Sequence, residues 1–299
     1  MIEQQTSQLP QLLKWIGNKQ RFTNKIISYM PETVNTYYEP FLGSGAVLGA
    51  LANQNCTELL PAVKVGKFVG SDALKPLIEI FQSTRDNPDE LISRYAYWRN
   101  QLKLDGSNKR EVYEKALSEF NSNKDGLDFA YVSRASFSGI IRFRKSDGYM
   151  STPVGPHTPI SAASFGKRVM SWHNALSQLD VEFKVADYKN MLHKASEGDL
   201  VYLDPPYGNS QKILYGAQEF SFDDLLEEIA EAKRRGAKLM LSYNGSTKSK
   251  RVDTRPKLPE GLFERVAEVN VGISMVNRLQ NGGNRMINES VSDLLLMTW

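Results

Sequence analysis

The amino-acid sequence predicts an α/β fold, with a mainly parallel sheet, helices on both faces of the sheet, and an inserted, mainly helical domain. Apolar runs of strand length alternate with amphipathic stretches, which predicts parallel strands joined by helices that cover both sheet faces. Between about residues 75 and 175 the pattern changes to longer helical periodicity before strand signals return. Residues 36–72 follow the order strand, glycine turn, helix, strand, acid, which is the outline of a Rossmann-like nucleotide site.

Hydrophobic periodicity also gives approximate element boundaries. Helices are predicted at 22–30 (ending at Pro31), 47–54 and 222–235. Strands are predicted at 36–41, 67–71, 181–185, 200–203, 238–243 and 294–299. Residues 55–66 are predicted to be a loop insertion. We expect residues 1–74 and 176–299 to form one domain, and residues 75–175 to form the inserted domain.

Composition excludes several classes of protein. No segment has the ~20 consecutive apolar residues of a membrane span, and residues 1–10 lack the pattern of a secretory signal, so a cytoplasmic protein is expected. The single cysteine, Cys56, excludes an internal disulfide and a cysteine-rich zinc site. The three histidines lack metal-pair spacing, so no metal is expected. A net charge of +3 is compatible with nucleic acid but does not indicate it.

The sharpest motif is Asp204-Pro205-Pro206-Tyr207, directly after the apolar run 200–203. Proline lacks an N–H and fixes φ, so the strand must end here and the chain must turn at the carboxyl edge of the sheet. Open α/β sheets bind ligands at that edge. The motif therefore presents a carboxylate, backbone carbonyls and an aromatic ring at one place. The alternative interpretation is a proline turn with a capping aspartate.

A second motif, Glu39-Pro40-Phe41-Leu42-Gly43-Ser44-Gly45-Ala46, places a glycine turn after a predicted strand and before a predicted helix. Glycines let the backbone approach a ligand closely, and the helix amino terminus offers N–H groups to a carboxylate. Asp72, at the end of the next strand, is placed to bind ribose hydroxyls. Trp15 and Lys19, from the stretch 14–19, suggest a second wall of this site. The alternatives are an ordinary turn and a solvated helix approach.

Arginines alternate with aromatic residues in the inserted region, a pattern that suits phosphate contact and base reading. We predict DNA contacts for Arg134, Phe137, Arg142, Arg144 and Lys145. An exposed basic loop is the alternative. A second basic stretch, 248–257, is as compatible with a solvated loop as with a DNA clamp.

Taken together, and in this order, the motifs resemble the Dam-like (alpha-group) family of DNA adenine-N6 methyltransferases over nearly the whole chain. The resemblance implies S-adenosylmethionine as methyl donor, double-stranded DNA as substrate, base flipping, and a target-recognition role for residues 75–175. It implies catalytic roles for Asp204, Pro205, Pro206 and Tyr207. The donor-binding residues that it implies are Trp15, Lys19, Phe41, Gly43, Gly45, Asp72 and Asp187.

The family further implies a Dam-like or restriction-modification system, in which a cognate endonuclease could act separately, and a monomer or weak dimer is expected. Three rival functions remain open at this point: methylation of adenine in RNA or of another planar amine, a catalytically inactive DNA-binding module, and a nicotinamide oxidoreductase. The oxidoreductase leaves the 204–207 motif unexplained.

Overall fold

A computed structural model describes residues 8–104, 106–206, 220–244, 258–272 and 291–299. Seven strands within these ranges form one sheet in the order β3-β2-β1-β4-β5-β7-β6. Strands β1 to β5 are parallel where they pair, whereas β7 is antiparallel to both of its neighbours. The strands are β1 (Thr33–Glu39), β2 (Lys64–Asp72), β3 (Val181–Val185), β4 (Leu200–Leu203), β5 (Lys238–Asn244), β6 (Arg265–Gly272) and β7 (Val291–Met297).

The α-helices of the described ranges are α1 (Thr23–Ile27), α2 (Ala46–Thr57), α3 (Lys75–Asp86), α4 (Pro88–Gln101), α5 (Lys109–Asn123), α6 (Gly126–Ala135), α7 (Ala162–Leu176), α8 (Tyr188–Leu192) and α9 (Phe222–Arg234). Short 3-10 turns cover Gln20–Phe22 and Phe137–Gly139. None of the helices in the described part of the chain is both long and apolar enough to cross a membrane.

The sheet is buried on both faces. Alternate residues of one strand enter different cores: Tyr37 of β1 packs with α1, α2 and α3 residues, whereas its neighbour Tyr38 packs with residues of α8 and α9. All four residues of β4 are buried, because a parallel strand between two helical layers has no solvent face. The predicted α/β architecture with helices on both faces is confirmed.

Four details differ from the sequence prediction. Strand β6 was not predicted, and β7 is antiparallel to its neighbours β5 and β6. The predicted loop at 55–66 was too long, because α2 continues to Thr57 and β2 already begins at Lys64. The helix predicted at 22–30 is shorter, with a 3-10 turn before α1 and an end at Ile27.

Helices α3 and α7 lie against the sheet domain. Gln82 and Arg85 of α3 donate side-chain hydrogen bonds to the backbone carbonyls of Phe183 and Val181 in β3. Trp172 of α7 packs on Gly49 of α2, so closely that a Cβ there would collide with the indole. In the sequence, helices α4 to α6 and the segment 136–155 lie between α3 and α7. The division at residues 75 and 175, and the recognition role of that region, stay predictions.

Candidate active site

Four parallel strands bring the predicted functional residues to one edge of the sheet. The glycine turn follows β1, Asp72 ends β2, Asp187 follows β3 by two residues, and Asp204 follows β4 directly. Because parallel strands have their carboxyl ends at the same edge, residues far apart in sequence converge there. This is the position that the sequence predicted for the site.

The glycine turn has backbone conformations that only glycine adopts easily. Gly43 has φ +48° and Gly45 has φ +65°, where α2 begins. A Cβ on Gly43 would lie 2.9 Å from the Trp15 Nε1 atom, and a Cβ on Gly45 would lie 2.9 Å from the Phe81 ring. The turn 43–45 therefore has no side chain at Gly43 or Gly45, and the Trp15 indole packs against it. We call this turn the glycine cradle.

Asp72 fixes this turn as well as ending β2. Its carboxylate accepts hydrogen bonds from the backbone N–H groups of Gly43 (3.2 Å) and Leu74 (3.0 Å). Burial, which outweighs these hydrogen bonds, raises the pKa of Asp72 to about 6. Sequence reasoning predicted a ribose-binding acid here and did not foresee the bond to the turn. A carboxylate has further lone pairs, so it can accept ligand hydroxyls too.

An aromatic wall lies next to the turn. The Phe41 ring stacks on Tyr188 at a centroid distance of 5.2 Å, and Phe220 meets Phe41 edge-on at 5.7 Å. Asp187, one residue before Tyr188, is exposed and caps α8 by accepting a hydrogen bond from the Lys189 N–H. Phe41 and Asp187 thus lie on the same side of the site.

Asp204 lies in an ion pair at the end of β4. The Lys19 Nζ atom is 2.9 Å from its Oδ1 atom, and the two side chains are only 10% and 19% exposed. Pro205 is buried and Pro206 half-buried. Tyr207 and the basic stretch 248–257 lie outside the described residues. The structure thus brings Lys19 to the predicted catalytic acid.

No role for Glu39 was predicted from the sequence, although it is the first residue of the glycine-turn motif. Glu39 is 3% exposed, and its Oε2 atom accepts hydrogen bonds from the Tyr37 hydroxyl and the Leu48 N–H, both at 2.8 Å. Burial, with a further contribution from the charge of Asp204, raises the pKa of Glu39 to about 8. An acid directly after the two buried tyrosines of β1 was the signal available in the sequence.

The segment 9–12, which leads to Trp15 and Lys19, is tied down by side chains from distant helices. Arg134 of α6 donates to the carbonyl of Leu12 (2.6 Å), Arg168 of α7 to that of Gln11 (2.7 Å), and Trp172 of α7 to that of Pro10 (2.9 Å). Burial lowers the pKa of Arg134. Arg134, predicted to contact DNA, therefore binds the protein backbone.

The other predicted DNA-contacting residues are exposed on or near a β-hairpin, residues 142–151. The hairpin is closed by the Phe143–Met150 bridge, and Asn121 of α5 braces it through both backbone groups of Met150. Arg144 pairs with Asp147 within the hairpin. Exposed side chains of this surface are Phe137, Arg142, Arg144 and Lys145.

The described residues contain no cluster of three or more histidine, cysteine, aspartate or glutamate side chains that could hold a metal ion. The site combines the glycine cradle after β1 with Asp72, which bonds to it. At the end of the neighbouring strand β4 it adds Asp204, paired with Lys19. A seven-stranded sheet with this edge is consistent with a methyltransferase fold.

Comparison with known proteins identifies the family. The family model described as D12 class N6 adenine-specific DNA methyltransferase matches residues 15–263, so the chain belongs to that family. It is therefore a site-specific DNA methyltransferase that acts on adenine, as the sequence predicted. The resemblance to Dam-like enzymes is confirmed.

Curated relatives span nearly the same length. The Type II methyltransferase M.MjaIII of Methanocaldococcus jannaschii is 26% identical, over 96% of this chain and 98% of the relative. The DNA adenine methylase of Vibrio cholerae is 27% identical, over 80% of this chain and 83% of its own length. That of Escherichia coli K12 is 24% identical, over 95% of this chain and 94% of its own length. A solved structure of a conserved hypothetical protein from Streptococcus pyogenes gives a TM-score of 0.32 at 9% identity over 93% of this chain and 94% of its own, which is too low a likeness for any argument.

Proposed function

We propose that the glycine cradle binds S-adenosylmethionine and that Asp204 directs the exocyclic N6 amine of a flipped adenine toward the donor's methyl group. The observation that carries this proposal is the shared sheet edge: the cradle follows β1, and Asp204 follows β4, which pairs with β1 directly. Donor and acceptor sites on adjacent strand ends can bring two reactants together.

The residues present fit the methyl donor that the family implies. Gly43 and Gly45 place the backbone of the turn directly against the Trp15 and Phe81 rings, with no side chain at either glycine, and α2 starts there with N–H groups suited to a carboxylate. Asp72 suits ribose hydroxyls, and Phe41 and Trp15 offer ring faces and edges. We propose that Asp187 contacts the adenine end of the donor. When bound, S-adenosylmethionine would supply an electrophilic methyl carbon on a sulfonium.

The chemical problem is that the N6 lone pair of adenine is delocalised into the ring. Two acceptors on its N–H bonds, the Asp204 carboxylate and a carbonyl of the Pro205–Pro206 segment, would favour a pyramidal nitrogen with an available lone pair. The nitrogen would bond to the methyl carbon as the carbon–sulfur bond breaks and its electron pair stays on sulfur. The proton that N6 loses would be released to solvent. Positioning and electrostatics supply most of the catalysis.

Adenine must leave the duplex for this reaction, since N6 cannot be reached inside the stack. We propose that Tyr207 stacks on the flipped base, a contact worth ~1–3 kcal/mol. The exposed hairpin, with Phe137 before it, would contact DNA through Arg142, Arg144 and Lys145 as part of the recognition region. Arg134 would stabilise the recognition region indirectly, because its hydrogen bonds to the carbonyls of Gln11 and Leu12 join α6 to the segment 9–12.

The biological setting is also a proposal. We propose that the chain works on double-stranded DNA in the cytoplasm, as a monomer or weak dimer, either in a Dam-like system or beside a separately acting restriction endonuclease. The relative named Type II methyltransferase supports the second possibility.

The variant Asp204→Ala tests the catalytic assignment. We expect it to abolish methyl transfer while donor affinity, measured by calorimetry, stays within about threefold of wild type, because the carboxylate acts on the amine and not on the donor. Asp180→Asn is the matched control: it removes an exposed carboxylate before β3, at the opposite edge of the sheet, and should leave turnover unchanged. Near-normal turnover of the Asp204 variant would refute the assigned role.

A further inference from the structure

Lys19 and Asp204 are 185 residues apart in sequence and form a direct ion pair in the site. The Nζ–Oδ1 distance is 2.9 Å, within the range of a charge-assisted hydrogen bond. The Lys19 side chain is 10% exposed and that of Asp204 is 19% exposed. A largely buried pair responds strongly to the loss of one partner, whereas an exposed surface pair does not.

The backbone holds Lys19 in this position by local and distant contacts. Its carbonyl accepts the hydrogen bond of the Phe22 N–H, and its ammonium also donates to the Gly17 carbonyl at 3.4 Å. The Asn18 side chain accepts from the Gln20 N–H. Other side chains also donate hydrogen bonds to the backbone carbonyls of residues 9–12. Together these contacts hold the segment 9–22 in place, with the Lys19 ammonium at the end of β4.

From this geometry we infer that Lys19 is a positioning residue, which orients the Asp204 carboxylate for the target amine and does not serve mainly to bind the methyl donor. The inference rests on the proposed role of Asp204. A carboxylate has about four lone-pair positions, so an ion pair on Oδ1 leaves the group able to accept a hydrogen bond from the amine. Fixing one oxygen also fixes the plane in which the other one accepts.

The surrounding charges favour such a role. Glu39 is buried at the end of β1, and the charge of Asp204 acts on it. Because burial raises the pKa of Glu39 to about 8, Glu39 holds its proton at neutral pH. The Lys19 ammonium is then the charged group that the structure pairs with the Asp204 carboxylate at the strand end.

The test compares Lys19→Met, Lys19→Arg and the control Lys25→Met, an exposed lysine of α1 near the Tyr29 ring. Single-turnover methyl transfer is measured with saturating duplex DNA and donor, and donor affinity is measured by calorimetry. We expect Lys19→Met to lose about 100-fold in rate with donor affinity within about threefold, because a misplaced catalytic group costs that much. Lys19→Arg should regain at least about tenfold, since it restores a cation, and Lys25→Met should behave as wild type.

Each other outcome overturns the inference. A wild-type rate for Lys19→Met would show that Asp204 needs no positioning, and a loss that excess donor repairs would assign Lys19 to donor binding. If Lys19→Met does not fold, Lys19→Arg decides: a folded variant below about 1% of the wild-type rate would contradict a role for the cation. Failure of the wild-type enzyme on every duplex would instead refute the proposed function, which separates the two claims.

Discussion

Individual residues show what can and cannot be predicted from sequence. The position of Asp204 at the end of β4 was predictable, because an acid followed by two prolines cannot continue a buried strand. The Lys19–Asp204 pair was not predictable, because nothing in a sequence gives the distance between residues 185 positions apart. Arg134 is a residue whose contacts the sequence pattern did not predict. The alternation of arginines with aromatic residues suggested a phosphate contact, whereas the Arg134 guanidinium donates to backbone carbonyls of the protein.

Glu39→Gln should change how stability depends on pH. The fold raises the pKa of Glu39 from 4.5 to about 8, so between those values the unfolded chain has released a proton that the folded chain still holds. Wild-type stability attributable to Glu39 therefore falls as pH rises through this window. Glutamine has no such proton and can still accept both hydrogen bonds.

We expect the free energy of unfolding of Glu39→Gln, measured in urea at pH 5 and pH 8, to rise relative to wild type by on the order of a few kcal/mol at the higher pH. Asp72, whose pKa is also raised, is present in both proteins and cancels in the comparison. Parallel pH profiles for the two proteins would contradict the buried, protonated state of Glu39.

Gly45→Ala should weaken both the fold and the donor site. The new Cβ would meet the Phe81 ring at 2.9 Å, at a φ of +65° that alanine adopts poorly, and the cost should be roughly 1–3 kcal/mol. Gly106→Ala is the control, because Gly106 has a similar φ of +74° with open space around it. Thermal unfolding and donor calorimetry should show a larger loss for Gly45→Ala in both, and equal losses would remove the argument for a close-packed cradle.

At the scale of elements, the parallel core strands were predicted to within a few residues because apolar runs between turn signals are unambiguous there. Strand β6 was missed although Ala267, Val269 and Val271 alternate with polar residues, the signal of a strand with one covered face. The antiparallel direction of β7 could not be predicted from its own residues, because strand direction depends on the path of the chain between strands. Helix α2 and β2 extend further because packing, more than propensity, sets their ends.

The hairpin at 142–151 gives a prediction at the same scale. Arg142→Ala should weaken duplex binding and reduce the slope of log affinity against log salt by about 0.9, the value for one phosphate contact. Lys64→Ala removes an equal charge from an exposed residue at the amino end of β2, on the opposite edge of the sheet, and should leave the slope unchanged. Fluorescence anisotropy across a salt series measures both, and equal slopes for wild type and Arg142→Ala would remove Arg142 from the phosphate-binding surface.

At the scale of the whole molecule, the sequence predicted the chemistry better than the packing. The fold, the family and the edge that gathers the motifs were accessible because each depends on short segments with strong backbone constraints. The contacts that join the segment 9–19 to α6, α7 and β4 were not, because they link parts of the chain more than 120 residues apart. These contacts connect α6 and α7 to the end of β4 through the segment 9–19.

Methyl transfer by the purified protein tests the central claim most directly. The protein is incubated with isotopically labelled S-adenosylmethionine and duplex DNA of varied sequence, with structured RNA in parallel, and the digested nucleosides are separated by mass spectrometry. We predict label in N6-methyladenine from the duplex, at a defined sequence context, and none after Asp204→Ala. Label confined to RNA or to cytosine, or unmodified adenines on every duplex offered, would contradict the account.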